Sequence, residues 1–123
     1  MATIRPFKGF RPTPELCSKV AALPYDVMTS KEAREMVKND PYSFLHVDRA
    51  EIDLPENVDI YSKEVYEKAA SNLNKMIEDK VLIQDSKPVF YIYSLTMNGR
   101  EQIGLVVCTS IDEYLNNTIK KHE

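Results

Sequence analysis

The dipeptide Asn98-Gly99 constrains this chain more than any other feature. It separates two strand-like runs, residues 89–97 and 100–111, that are rich in Tyr, Ile, Leu, Val and Thr. A two-residue hairpin loop of type I′ needs φ > 0 at both positions, and Asn and Gly reach that region at low steric cost. The turn also twists in the same sense as the strands it joins. The spacing therefore predicts an antiparallel hairpin. Val89, Tyr91, Tyr93, Leu95 and Met97 alternate onto one face, with Ile103, Leu105, Val107 and Thr109 expected to match them across the ladder. Phe90, Ile92, Val106 and Cys108 make the second face apolar too, so both faces are expected to be covered.

The segments that precede the hairpin supply candidate layers. Four of the seven prolines, Pro6, Pro12, Pro14 and Pro24, fall in residues 1–28. Proline fixes φ and removes a donor, so this stretch is expected to be extended, with a short strand near Phe7-Lys8-Gly9-Phe10-Arg11. Thr29-Ser30-Lys31-Glu32 reads as a capping box and opens a helix over 30–39, whose apolar face is Ala33, Met36 and Val37. Residues 41–47 alternate as a short strand, and the acidic stretch 48–59, interrupted by Pro55, reads as an exposed loop. Val65, Ala69, Leu73, Met76 and Ile77 form the stripe of a long helix over 61–79. The expected fold is α+β: a mixed or antiparallel sheet centred on the 89–97/100–111 hairpin, with the 61–79 and 30–39 helices packed on it. The 41–47 and N-terminal strands are expected to extend that sheet.

At 123 residues the chain suits one small domain, 1–123. A net charge of −3 with acids and bases intermixed gives no basic surface, so no nucleic-acid partner is expected. No apolar run approaches the roughly 20 residues of a membrane span, and no apolar leader follows Met1. A cytoplasmic location without a membrane partner is expected, with Cys17 and Cys108 reduced.

Few residues carry chemistry by type. Ala22-Leu23-Pro24-Tyr25-Asp26-Val27 places an acid and a phenol between a proline turn and a capped helix. Asp26 there can face a ligand, or it can bond a neighbouring backbone N–H while Tyr25 packs. His46 lies in the expected 41–47 strand, where a lone histidine is more often structural than a general base. His122 and Glu123 close the chain beside Lys121. The three glycines, Gly9, Gly99 and Gly104, are far apart, which excludes glycine-rich phosphate loops. Two histidines and two cysteines show no zinc spacing, so no metal site is expected, and no cofactor is indicated. Tyr91 and Tyr93 lack interleaved basic residues and read as packing residues rather than a base-stacking platform.

Six segments are informative in their order along the chain. They are Ile4-Arg5-Pro6-Phe7-Lys8-Gly9-Phe10-Arg11-Pro12, Ala22-Leu23-Pro24-Tyr25-Asp26-Val27-Met28 and Asn39-Asp40-Pro41-Tyr42-Ser43-Phe44. Tyr66-Glu67-Lys68-Ala69-Ala70, Pro88-Val89-Phe90-Tyr91-Ile92-Tyr93 and Ile119-Lys120-Lys121-His122-Glu123 complete the series. Together they resemble the N-terminal region of the domain-of-unknown-function family 1015. Leu23 stands where the family usually has a second proline. Members of that family are several times longer, so the resemblance implies the N-terminal portion of a longer protein. It also implies a relation to the ParB- and sulfiredoxin-like fold that includes free-serine kinases. On that implication the intact protein is a nucleotide-dependent small-molecule kinase. Asp26, His122 and Glu123 are then catalytic, and Pro24, Tyr25 and Lys121 contact a small-molecule ligand. The alternative is a non-catalytic regulatory or interaction module. A homo-oligomer is compatible with either, because an exposed strand edge is a template for association.

Overall fold

A computed structural model describes residues 1–122 of the chain. In chain order the elements are β1 (Ile4–Arg5), β2 (Phe10–Pro12), α1 (Cys17–Val20), α2 (Ser30–Met36), α3 (Leu45–Asp48), α4 (Lys63–Glu78), β3 (Leu82–Gln84), β4 (Tyr91–Met97), β5 (Arg100–Val106), β6 (Cys108–Thr109) and α5 (Ile111–Leu115). Two single turns of 3-10 helix, Tyr25–Val27 and Ala50–Asp53, lie between them. The chain divides into a continuous unit, Arg11–Ile83, and a discontinuous one made of Met1–Phe10 and the residues from Gln84 onward. The class is α+β, as the patterning predicts.

The continuous unit holds two buried clusters. Val20, Met76, Val81 and Leu82 form one, joined by Leu16, Tyr42, Phe44, Val47, Leu73 and Ile77. Ala33, Val37, Leu45 and Ile52 form the other. The long helix α4 starts after Ser62 and buries Val65 and Met76 from its apolar stripe. It ends in a Schellman motif. Lys80 takes φ +56°, its N–H donates to Ile77 O, and the Val81 N–H donates to Met76 O. Val81 and Met76 then meet in the first cluster, which is the apolar contact this motif favours. Helix α2 starts at the expected capping box. The Glu32 N–H donates to Thr29 Oγ1, and the Thr29 N–H donates to Glu32 Oε2.

Residues 41–47 are not a strand. Leu45–Asp48 is helical, and the side-chain directions show why. Phe44 and Val47, three apart, pack on the first cluster, whereas Leu45, 1 % exposed, enters the second. That is helical periodicity, and a four-residue stretch with three apolar members is too short to distinguish it from alternation. Nor is 48–59 a wholly exposed loop: Ala50, Glu51 and Ile52 are buried.

In the discontinuous unit β4 and β5 form the hairpin, with Asn98 at φ +52° and Gly99 at φ +75°. The first strand β1 pairs antiparallel with β6 through Ile4↔Thr109 and Arg5↔Cys108, and Phe7 bridges Val89. The expected face matching across the hairpin is corrected. A two-residue loop pairs Met97 with Arg100, so odd positions of β4 oppose even positions of β5. Ile103 and Leu105 therefore lie opposite Ser94 and Ile92, on the face away from Tyr93 and Leu95. The expected two-sided cover is also corrected: Ile92, Tyr93, Leu95, Met97, Ile103 and Leu105 are all exposed.

Candidate functional site

The segment singled out by residue type is a braced turn. Pro24 sits at φ −52°, ψ 138°, an extended conformation its ring favours. Tyr25–Val27 then make one 3-10 turn closed by the Val27 N–H on Pro24 O, before Thr29 caps α2. The brace is Arg49. Its Nη1 donates to Tyr25 O at 3.1 Å and its Nη2 to Ser30 Oγ at 2.8 Å. Its Nε lies 2.8 Å from Glu51 Oε1, an ion pair too bent to count as a hydrogen bond. Ser30 Oγ donates to the same Glu51 oxygen at 2.8 Å. Glu51 is 5 % exposed, so its charge is held by these partners. Arg34 clamps the other side of the 50–53 turn by donating to the carbonyls of Glu51, Ile52 and Leu54. The Asp26 side chain stands outside this network. It is exposed, and among the described residues its carboxylate has no hydrogen bond or ion pair.

A second polar cluster lines a cleft of about 370 Å³ bounded by Pro41, Tyr42, Lys75, Met76 and Asp79. His46 Nδ1 lies 2.9 Å from both oxygens of Asp53, and Nε2 lies 3.0 Å from Asp40 O. Asn72 Nδ2 donates to His46 O and to Asp53 Oδ2. Both ring nitrogens thus lie against oxygen atoms of neighbouring segments. The ring joins α3 to the 50–53 turn and to the Asp40 carbonyl, while Asn72 of α4 holds the His46 carbonyl and Asp53. His46 lies in a helix and not in the expected strand.

The family model described as "Protein of unknown function (DUF1015)" matches residues 4–123. The chain belongs to this family. No curated protein and no solved structure matches it.

The remaining expected site residues of this DUF1015 chain lie apart from the braced turn in sequence and in unit. Pro24, Tyr25 and Asp26 belong to the continuous unit, and Lys121 and His122 to the discontinuous one. Lys121 Nζ lies 4.4 Å from the Tyr114 ring centroid, a cation–π contact. His122 is exposed, and Glu123 lies outside the described residues. Within the same unit, Glu113 receives the Thr3 N–H at 2.7 Å and the Thr3 hydroxyl at 2.8 Å. These bonds, the backbone one foremost, hold its carboxyl below the usual carboxylate range. Among the described residues no group of three His, Cys, Asp or Glu is arranged to hold a metal ion. No helix among them is long and apolar enough to cross a membrane.

Sequence reasoning did not find Arg49, Arg34, Glu51, Asp53 or Asn72 in this DUF1015 chain. Arginine and glutamate in a polar stretch look solvated by type. The one available signal was the tetrapeptide Arg49-Ala50-Glu51-Ile52, whose two apolar members are spaced to bury part of the stretch.

Proposed function

We propose that the intact protein is a nucleotide-dependent kinase of a small hydroxyl-bearing metabolite of the serine type, with Asp26 facing the acceptor hydroxyl. The observation that supports this reading is the brace. Arg49 ties the Tyr25 carbonyl to Ser30 and to buried Glu51, while the adjacent Asp26 carboxylate is exposed and unpartnered among the described residues. A general base has to be accessible and held in place. In the transfer, the acceptor oxygen forms the new P–O bond and the leaving oxygen of the nucleotide keeps the bonding pair. The hydroxyl proton passes to the carboxylate. Such chemistry rests mostly on positioning and charge stabilisation. Pro24 and Tyr25 flank the carboxylate and would contact the substrate skeleton. The reading rests on the turn alone and assigns no step to Lys121, His122 or Glu123. The test is full-length protein incubated with serine and ATP or ADP, with phosphoserine followed by phosphorus NMR. Asp26→Asn is expected to slow turnover at least about 100-fold while nucleotide binding persists. Failure to bind either nucleotide, with no phosphoserine formed, removes this reading.

One observation favours a second reading, a non-catalytic interaction module. Leu23, Tyr25, Val27 and Met36 are large, apolar and exposed, and they lie in or beside the same turn. A stoichiometric partner lost on Tyr25→Ser, with Asp26→Ala fully functional in cells, would favour the module over the kinase.

A further inference from the structure

We propose that the protein self-associates through the outer edge of β4, two copies joining antiparallel about a two-fold axis centred on Ser94. The proposal is independent of any catalytic role for Asp26.

The strand itself is the first argument. Tyr91-Ile92-Tyr93-Ser94-Leu95-Thr96-Met97 contains no charge, no proline and no glycine. Proteins that keep an edge strand solvated normally place Lys, Pro or a bulge on it, and β4 has none of these. One edge of β4 pairs with β5, and among the described residues no strand pairs with the other along Ile92–Met97. Met97 and Arg100 flank a two-residue loop and so exchange ladder hydrogen bonds. Bonded and non-bonded pairs alternate from there, which turns the N–H and C=O groups of Ile92, Ser94 and Thr96 outward.

The surroundings supply the second argument. Among the described residues every buried apolar side chain lies between Val20 and Leu82, so the discontinuous unit has none there. Its hairpin leaves Ile92 78 %, Met97 70 %, Tyr93 58 % and Leu95 50 % exposed. A lone two-stranded ribbon is marginal in water, whereas a sheet of more strands is not.

Self-complementarity selects a second copy as the occupant. A register centred on Ser94 sets Ile92 against Thr96 of the other copy and Ser94 against its own equivalent. All three outward-turned positions then exchange hydrogen bonds. The same register sets Tyr93 against Leu95 and Tyr91 against Met97 as close non-bonded pairs, which suits aromatic–aliphatic contact. No like charges meet. The edge of β5 is less suited, because Arg100, Glu101 and Gln102 occupy its first half and Gly104 interrupts the rest. Pairing through β4 alone closes at two copies and gives a four-stranded sheet.

Sedimentation equilibrium on the wild-type protein and Ser94→Lys is the test. The wild type is expected to be a dimer. The lysine variant opposes two like charges across the axis and is expected to associate at least about tenfold more weakly. It should keep its fold, since Ser94 is exposed and a lysine there still faces Glu101, which now accepts from Ser94 Oγ. Circular dichroism checks that. In a mixed labelled and unlabelled sample, an isotope-filtered NOE between the Tyr93 ring and the Leu95 methyls of the other copy is expected. A monomeric wild type overturns the proposal. So does a Ser94→Lys dimer as tight as the wild type, a dimer without that NOE, or open-ended growth, which would mean that another surface is used.

Discussion

At the scale of single residues, two positions carry more constraint than their types suggest. Gly9 closes a cycle with Tyr91 and Asp85. Its N–H donates to Tyr91 Oη at 2.7 Å, the Tyr91 hydroxyl donates to Asp85 Oδ2, and the Asp85 N–H donates back to Gly9 O at 2.9 Å. The Phe7 ring stands 5.0 Å from the Tyr91 ring, so the phenol cannot easily swing away. A Cβ on Gly9 would lie 2.7 Å from that Oη and 2.9 Å from Cζ. Gly9→Ala is therefore expected to destabilise by about 1–3 kcal/mol, the usual range for overpacking, read as a lower urea midpoint. A neutral result would show that the cycle yields readily. Lys80 is the reverse case. It holds φ +56° at the end of α4, where a side chain is strained and glycine is not. Lys80→Gly is expected to stabilise by up to about 1 kcal/mol on the same measurement. Neither demand is visible in the sequence. Gly9 looks like one isolated glycine, and a lysine after a helix gives no sign of left-handed backbone.

Among elements, legibility followed how local the cause is. The capping box at Thr29 and the Asn98-Gly99 turn are written in four and two residues, and both formed as expected. The face matching in the hairpin was equally local, yet it needed the parity that a two-residue loop imposes. The helix at Leu45–Asp48 was not legible, because its direction is decided by two separate clusters that meet on either side of it. The brace of the Asp26 turn is more distant still, since Arg49 reaches back 24 residues to Tyr25. Arg49→Ala leaves Glu51 buried without its cation, and a loss of about 3 kcal/mol is expected on denaturation. Lysine at 49 should recover only part, because one ammonium cannot reproduce the guanidinium fork. Helix α2 makes a prediction in pH. The Thr29 N–H, followed by its hydroxyl, holds the Glu32 carboxyl below the usual carboxylate range. Its folded pKa lies below the unfolded one, so the stabilisation is full above the usual range and is lost as pH falls through the folded value. Thr29→Ala should cost about 1 kcal/mol as a lost cap at neutral pH. Glu32→Gln should flatten the acid limb of stability against pH. An unchanged acid limb would assign that limb to other carboxylates.

Over the whole molecule, burial is divided unevenly. The two clusters that exclude water both lie in residues 11–83, where α2, α3, α4 and the 50–53 turn converge. The discontinuous unit is held instead by ladders, by the Gly9–Tyr91–Asp85 cycle and by the Thr3–Glu113 clasp. Hydrogen bonds exchanged with water contribute modestly to stability, whereas burial of apolar surface dominates it. Cooperative opening should therefore differ between the units. In native-state hydrogen exchange, amides of Leu45, Met76 and Val81 are expected to open only at the highest free energy. Inward-bonded hairpin amides such as Tyr93 and Leu95 should open at lower free energy. The Thr3 amide reports on the second unit separately. Its bond to Glu113 is present above the usual carboxylate range and is lost as pH falls through the lowered folded pKa. After correction for intrinsic exchange, its protection should drop with acid before that of Leu45 changes. Glu113→Gln should remove that pH dependence. Equal protection across both units, at any pH, would mean that the ladders of the discontinuous unit are as firmly held as the buried clusters, and the uneven distribution of burial would then not govern how this protein opens.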